Sequence, residues 1–421
     1  MRMLTRFISY PFNAVIKKGL FIAGVLAYFL IPSVQHCSVT ISNPEGLLEE
    51  LIKTGFENVA VKKNSGGTVI YYENRIYRLD IDAIKDVIKI AIPYLQKGDM
   101  LTLVPQKRGI PVVYIEVAQE DCSNYCAGKI SASEFGRLLK ISMEKEELSG
   151  FEDQQMENSS YSRFDLVIKP GFSFEFGPYQ EPVMWQFNIL PELKTSLWKG
   201  MDLSYETVLP VHNDFGRRYD SVRTGTAVIN QMLRFPGSLF VSASAGIFTQ
   251  NRYGFDFETR KYFCNGNLSI GLDMGYTDYV SFSGYNKIYY SNKFIFTGNV
   301  SADYRFEEYD LTVGVSAGKY LYGDTSLRFD INREFGETEI GFFVLRSTAG
   351  VNNGGITVSV PLFPSKWMNP GFIRVVPAES YSTSYIVKSN VNDLIGLRYN
   401  TGSRINSFLK KMNPDFIRNN F

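Results

Sequence analysis

The stretch 292–306 reads NKFIFTGNVSADYRF and carries the pattern on which the fold assignment depends. Alternate positions are mostly apolar, with aromatic residues near both ends, and the positions between them are mostly polar or charged. Successive side chains of a β-strand point to opposite faces, so this strand would have one apolar and one polar face. Its length suits a tilted strand that crosses a bilayer, although a soluble sheet with one wet face would alternate in the same way. The apolar set is Phe294, Phe296, Gly298, Val300, Ala302, Tyr304 and Phe306, and the other set is Lys293, Ile295, Thr297, Asn299, Ser301, Asp303 and Arg305.

The same two-residue rhythm recurs from Arg163 to residue 362, clearly in 267–277 and poorly in 220–235. Repetition favours a membrane barrel over a single soluble strand pair, and it predicts a mainly β chain with an antiparallel transmembrane β-barrel of about 12 strands over 163–362. The candidate strands are 163–176, 183–195, 200–210, 220–235, 238–249, 254–263, 267–277, 292–306, 309–320, 325–334, 338–348 and 354–362.

The lengths of the connections between the candidate strands give independent support for a barrel. The connections at 236–237 and 307–308 are tight, whereas those at 211–219 and 278–291 are longer. Outer-membrane barrels have short periplasmic turns and longer outer loops. The pattern therefore predicts that the chain enters and leaves the barrel on the periplasmic side. The run NGGITVSV at 353–360 is similar to the closing-strand signal that the barrel-assembly machinery reads.

Helical spacing is confined to the regions before and after these strands. Residues 38–143 mix helices and strands and predict a small periplasmic α/β domain, and the acidic, polar residues 144–162 predict a linker. Residues 363–421 predict a periplasmic C-terminal tail that ends in an amphipathic helix. That helix would pack against the α/β domain or touch a membrane surface.

The N-terminus has the form of a secretory signal peptide over 1–36, in which basic residues precede the apolar run 19–31. An uncleaved anchor helix is the alternative. Cys37 raises the question of a lipoprotein signal, but the residues before it lack the small side chains of a lipobox. Export and a barrel together predict the outer membrane of a Gram-negative bacterium, with the N- and C-terminal segments in the periplasm.

Composition excludes several classes of function. Lys plus Arg (44) nearly balances Asp plus Glu (43), so no basic footprint for nucleic acid is present. The two histidines, His36 and His212, are too few for a metal site with the cysteines, and neither a metal nor a cofactor is predicted. In an oxidising compartment Cys122 and Cys126 are close enough to form a disulfide, or they are two spare thiols.

Three segments resemble the closing part of YjbH-like proteins. They are SRFDLVIKPG (162–171), GKYLYGDTSLRFDINREFGETEIGFFVL (318–345) and NNGGITVSVPL (352–362). The resemblance covers roughly 160–362, and the α/β region is more weakly similar. It implies an outer-membrane barrel associated with exopolysaccharide and group 4 capsule secretion. Longer members of the family carry a further barrel on the N-terminal side, and no catalytic residue is carried over.

We therefore expect a non-enzymatic barrel that serves exopolysaccharide or capsule export as a pore or a scaffold. Its expected partners are outer-membrane lipid, the barrel-assembly machinery, the polymer and other export proteins. The residues expected to line the lumen and to bind polysaccharide are Asp273, Lys293, Thr297, Asn299, Ser301, Asp303, Arg305, Arg328 and Asp330. Each of them could instead belong to a salt-bridge network that fills a small barrel. Two alternatives remain: a barrel enzyme acting on lipid or polysaccharide, for which His212 is the lone candidate base, and a secreted β-sandwich adhesin.

Overall fold

The computed structural model describes residues 45–64, 66–143, 156–176, 183–216, 220–282, 287–348, 350–388 and 395–421. The predicted signal peptide, Cys37 and most of the predicted linker 144–162 lie outside these residues. None of the helices in the described ranges is long and apolar enough to cross a membrane.

The first part of the described chain is an α/β module. Its six strands follow the order β1-β2-β3-β5-β6, with β4 paired to β3, and the β2–β3 pair is parallel. The elements are α1 Glu45–Thr54, β1 Glu57–Asn64, β2 Gly67–Glu73, α2 Asp80–Ala91, β3 Met100–Lys107, β4 Ile110–Pro111, β5 Tyr114–Ala118, α3 Gln119–Cys126, α4 Ala132–Leu138 and β6 Lys140–Ser142.

Apolar periodicity explains how the module packs. Helix α2 buries Ile81, Ile84, Val87 and Ile88, which recur every three or four residues and so share one face of the helix. They pack against side chains from β2, β3 and β5 in a single core cluster. Helix α4 begins at a capping box, in which the Ser131 hydroxyl accepts from the backbone N–H of Glu134 and the Glu134 carboxylate accepts from the backbone N–H of Ser131.

The second part is a single fifteen-stranded sheet in the order β20-β7-β8-β9-β10-β11-β12-β13-β15-β16-β17-β18-β19-β21, with β14 paired to β13. All of its pairs are antiparallel except β20 with β7. The strands are β7 Phe164–Phe176, β8 Val183–Thr195, β9 Met201–Asn213, β10 Arg223–Phe235, β11 Leu239–Phe248, β12 Arg252–Phe263, β13 Leu268–Phe282, β14 Ile288–Tyr290, β15 Ile295–Phe306, β16 Leu311–Lys319, β17 Thr325–Phe335, β18 Thr338–Ser347, β19 Asn352–Pro361, β20 Ile373–Pro377 and β21 Ser380–Lys388.

Each of the twelve candidate strands corresponds to one strand of this sheet, including the poorly alternating 220–235, which forms β10. The sheet is larger than expected because β14, β20 and β21 join it. The run NGGITVSV lies in β19, which is followed in the sheet by β21 and so is not its last strand. In the described chain, no ladder of backbone hydrogen bonds joins β21 directly to β7. The Tyr381 hydroxyl of β21 donates a hydrogen bond to the Phe172 carbonyl of β7 at 3.0 Å.

The two faces of the sheet differ in polarity and in exposure. On β15 the apolar set is exposed, with Phe296 at 52% and Val300 at 55%, whereas Thr297, Asn299 and Ser301 are buried. The other strands repeat this arrangement with apolar side chains such as Phe329 and Phe342 exposed. A soluble sandwich would bury these aromatic residues against a second sheet, so the expectation of a β-sandwich finds no support here.

The sheet curls around the C-terminal residues. The sequence had instead predicted that these residues form a tail outside the sheet. One end of the sheet contacts the α/β module; for example, the N–H of Gly200 donates a hydrogen bond to the Arg108 carbonyl. We call this the module end of the sheet, and the opposite end the far end. Residues 395–413, here named the inner segment, run from the far end to the module end along the polar face, and include the short helix α5 Ile405–Leu409. Helix α6 Pro414–Asn420 follows.

Only part of the predicted tail 363–421 is therefore a peripheral tail. Residues 373–388 supply two sheet strands because their backbone groups pair with β7 and β19. The inner segment is held by polar side chains of the sheet, which would otherwise be buried without partners. The final residues do pack against the module: Ile417 and Phe421 belong to the same core cluster as Phe135 of α4.

Candidate functional site

The candidate site is the polar face of the sheet and the inner segment that lies on it. At the far end, the N–H of Gly396 donates to the Asp324 carboxylate at 2.9 Å. Arg398 then donates to Asn299 Oδ1 and to Ser316 Oγ, each at 3.0 Å. Its guanidinium also lies over the ring of Tyr320. One arginine of the segment thus bridges β15, β16 and the turn after β16.

Midway along the sheet, three carboxylates converge on one arginine. Arg404 Nη1 lies 2.9 Å from Asp256, 3.3 Å from Asp273 and 3.9 Å from Glu258. Glu258 also accepts the backbone N–H of Ile405 at 3.0 Å. Because Asp256 and Glu258 are both nearly inaccessible to solvent, the guanidinium compensates charge that water does not reach.

Tyr399 packs beside this cluster. Its hydroxyl donates to Asp256 at 2.6 Å, and its ring stacks on that of Phe248 at 5.2 Å between centroids. Towards the module end, Ser403 donates to Asp202 at 2.8 Å. Asp202 also pairs with Arg108 of the module at 2.8 Å. The segment is thereby tied both to the sheet and to the module.

The module end is closed by a further set of contacts. Lys410 pairs with Glu339 at 2.7 Å, and the Asn413 amide donates to the Gly266 carbonyl at 2.9 Å. The Asn413 side chain also caps α6 by accepting from the backbone N–H groups that follow it. The inner segment is thus fixed at both ends of the sheet.

A cavity of about 370 Å³ remains between the inner segment and the sheet. It is lined by both polar and apolar groups, among them Asn299, Lys319, Tyr320, Arg398 and Asn400. Amides, charged groups and a tyrosine ring are suited to sugar hydroxyls and sugar faces.

The residues predicted to line the lumen fall into two groups. Thr297, Asn299 and Ser301 are buried on the polar face, Asn299 accepts from Arg398, and Asp273 lies beside Arg404. The predicted residues Asp303, Arg305, Arg328 and Asp330 form ion pairs with side chains of the sheet or of its turns. The pairs are Arg260 with Asp303 at 2.5 Å, Arg305 with Glu334 at 2.6 Å and with Asp310 at 2.7 Å, and Arg328 with Asp330 at 2.6 Å. These pairs have the geometry of a network that fills the interior.

Lys293 is the exception. It precedes β15 and its side chain is exposed at the far end, where its backbone N–H donates to Asp278 at 2.8 Å. Several residues of the site were not predicted, although Asp256, Glu258 and Arg260 alternate with Phe255 and Phe257 on β12. The alternation there was a usable signal, whereas nothing local marked Arg398, Tyr399 or Arg404.

His212, the candidate base of the alternative barrel enzyme, lies 3.0 Å from Asp214, and its ring stacks on that of Trp185 at 3.9 Å between centroids. The described residues contain no cluster of His, Cys, Asp and Glu that could hold a metal ion.

The disulfide candidate is not formed in the structure. Cys122 and Cys126 are both free thiols on α3; Cys122 is buried in the module core and Cys126 is exposed. Burial raises the pKa of Cys122 to about 12. The two side chains thus lie in different surroundings although they are one helical turn apart.

Together, the fold and the site define a class of protein: a curled β-sheet that exposes its apolar face and keeps polar side chains and its own C-terminal segment on the other. The model of the YjbH family, described as "Exopolysaccharide biosynthesis protein YbjH", matches residues 38–363. The chain belongs to this family, and the predicted membership is confirmed and extends across the α/β module.

Two further comparisons add little. A search of curated proteins found no match. Among solved structures, one match is the loop L8 deletion mutant of OmpT, an outer membrane protein of Vibrio cholerae. It has 8% identity and a TM-score of 0.28, and the match covers 47% of this chain and 85% of that one. A TM-score this low does not establish a common fold.

Proposed function

We propose that this protein is an outer-membrane β-barrel that takes part in exopolysaccharide or capsule secretion, with its interior held closed by its own C-terminal segment. Membership of an exopolysaccharide biosynthesis family supports the process. The membrane assignment rests on one observation: the exposed face is apolar and the enclosed face is polar. This arrangement is the reverse of a soluble β-protein, and lipid is the solvent that suits it.

The occupied interior favours a scaffold or a closed conduit over an open pore. Arg398, Arg404 and Lys410 fill the interior with ion pairs and hydrogen bonds to the sheet. A polysaccharide chain would have to displace this segment in order to pass. We propose no enzymatic step for this protein.

The proposed surroundings follow from the same arrangement. The α/β module and helix α6 lie together at one end of the sheet, and we assign that end to the periplasm. The apolar face meets outer-membrane lipid. The polymer and other export proteins would bind at the module end and the far end of the sheet. The barrel-assembly machinery would insert the sheet into the membrane.

Membrane insertion can be tested directly. The protein, produced with its signal peptide, should fractionate with outer membranes, resist extraction by carbonate, and migrate faster in SDS before heating than after. In a chain whose exposed cysteines Cys126 and Cys264 are replaced by serine, Tyr309→Cys, in a module-end turn, should react with a membrane-impermeant maleimide only after the outer membrane is permeabilised. Recovery in the aqueous fraction without detergent would contradict the proposal, and labelling of intact cells would reverse the orientation.

A further inference from the structure

The inner segment is basic along its whole length. Residues 395–413 contain Arg398, Arg404, Lys410 and Lys411 and no carboxylate side chain. The polar face it covers holds carboxylates from β12, β13, β17 and β18. The segment and the sheet are therefore complementary in charge.

Three of these carboxylates depend on the segment. Asp256, Glu258 and Asp273 all pair with Arg404, and the described chain offers them no other ion-pair partner. The nearby Arg260 is engaged by Asp303, Ser269 and Ser301. Three carboxyl groups face the single guanidinium of Arg404, so removal of the segment would leave these carboxyl groups lining this part of the interior.

The main chain of the inner segment is not part of the sheet. It forms no ladder with the sheet in the described residues. Its backbone contacts with the sheet include Leu321 N–H to the Leu397 carbonyl at 3.2 Å and Thr249 N–H to the Asn400 carbonyl at 3.1 Å. Its side chains are held by hydrogen bonds and ion pairs and also by apolar packing, since Ile405, Leu409 and Met412 lie in the core cluster of the module and Tyr399 packs with Phe248. Release of the segment would break these contacts but would leave the strands of the sheet paired.

We propose that residues 395–413 are a removable basic stopper, and that the conduit they leave conducts cations and admits neutral or amino-bearing saccharides in preference to polyanionic ones. This inference rests on the proposed function, because it needs the sheet to enclose a path across a membrane. The acidic patch formed by Asp256, Glu258 and Asp273 sets the preference, since fixed charges of one sign in a low-dielectric passage concentrate ions of the other sign.

Conductance across planar bilayers tests the inference. The intact protein should conduct little. Arg404→Glu adds a fourth carboxylate to the cluster and should expel the segment, and deletion of 395–421 should remove it. Both variants should show higher conductance with a potassium-to-chloride permeability ratio above about 3. Arg346→Glu, the same charge change on an exposed side chain of β18, should behave as the intact protein does.

Neutral substitutions in the acidic patch distinguish the effect of its charge on selectivity from the effect of removing the segment on conductance. In the chain lacking 395–421, the triple change Asp256→Asn, Glu258→Gln and Asp273→Asn should keep the conductance and bring the permeability ratio close to about 1. A synthetic peptide of residues 395–413 should block the acidic conduit and not the neutralised one. Conductance without cation preference, or none from an inserted chain that lacks 395–421, would overturn the inference.

A full-length variant covers the case in which the altered chains fail to fold. Thr249→Cys with Asn400→Cys places two thiols where the segment meets the far end. The oxidised pair should hold the conductance at its minimum, and reduction should restore cation-selective openings. Equal conductance in the two states would also count against the stopper. Failure of every variant and of the intact protein to reach the membrane would instead refute the proposed function itself.

Discussion

Cys122 and Cys126 lie one turn apart on α3, but only Cys126 is exposed. The thiolate is the reactive form of cysteine, and burial raises the pKa of Cys122 to about 12. We expect iodoacetamide at about pH 8 to modify Cys126 and to leave Cys122 unmodified until denaturant is added. Mass spectrometry of the tryptic peptides measures both sites. Failure of both to react before reduction would instead show the disulfide that their spacing allows.

Arg78 and Glu337 join the module to a module-end turn of the sheet. Arg78 Nε and Nη2 donate to the two carboxylate oxygens of Glu337 at 2.8 and 2.7 Å, and these hydrogen bonds lower the pKa of Glu337. A carboxyl whose pKa is lowered on folding stabilises the native state above its unfolded pKa and loses that contribution as the pH falls through its folded pKa.

Glu337→Gln should therefore lower the free energy of unfolding by about 1–2 kcal/mol near neutral pH. Between about pH 7 and about pH 3 the deficit should shrink, because the wild-type carboxylate becomes protonated as well. Urea titration of the protein folded into lipid vesicles measures this difference. Glu308→Gln, at an exposed position of another module-end turn, is the matched control and should show no comparable deficit.

At the level of single elements, alternation between an apolar and a polar face predicted most of the twelve strands, and β10 forms in spite of its poor alternation. Strand β21 was missed for a physical reason. Its sequence SYSTSYIVK puts hydroxyl groups on both faces, so the contrast that marks the other strands is weak. β20 is short, and its pairing with β7 is a parallel contact between distant parts of the chain that no local pattern encodes.

The outward face of β15 provides the sharpest test of lipid contact. Val300 is near the middle of the strand and 55% exposed. Val300→Arg should destabilise the membrane-folded state by roughly 2–4 kcal/mol, the cost of a cation near the bilayer midplane. The fraction that shows heat-modifiable migration after refolding into vesicles measures the effect. Tyr309→Arg, at an exposed position of the module-end turn after β15, should fold normally; equal behaviour of the two variants would mean that Val300 does not face lipid.

At the scale of the whole molecule, the path of the C-terminal residues was the feature that sequence could not supply. Local patterns predicted an amphipathic helix near the C-terminus, and its residues Ile405, Leu409 and Met412 lie in a core cluster that contains side chains of both the module and the sheet. They could not show that the chain first returns along the polar face, since Arg398 and Arg404 find their partners on β12, β13, β15 and β16 at separations of 82 to 148 residues. The polar side chains of those strands were predictable, but their partner was not.

Helix α6 anchors the inner segment to the module. Its docking on the module can therefore be weakened without a change in the sheet. Phe416 is buried, and the neighbouring Phe421 packs against Phe135 at 5.2 Å. Phe416→Ala should weaken this docking by about 3–4 kcal/mol, because it leaves a cavity in the core cluster. Hydrogen exchange across 414–421 should accelerate, whereas exchange in α2, on the other side of the core, should change little. Asn420→Ala, which removes a hydrogen bond within the same helix, is the control.

The range of residues whose hydrogen exchange accelerates in Phe416→Ala shows what holds the inner segment in place. Accelerated exchange confined to 414–421 would mean that the ion pairs of Arg404 and Lys410 suffice to keep the segment on the sheet. Acceleration that spreads to 395–405 would mean that the module end acts as a latch, so that a partner binding the module could loosen the segment and open the interior. We expect the first result, because Asp256, Glu258 and Asp273 would be left without a cation if the segment moved away.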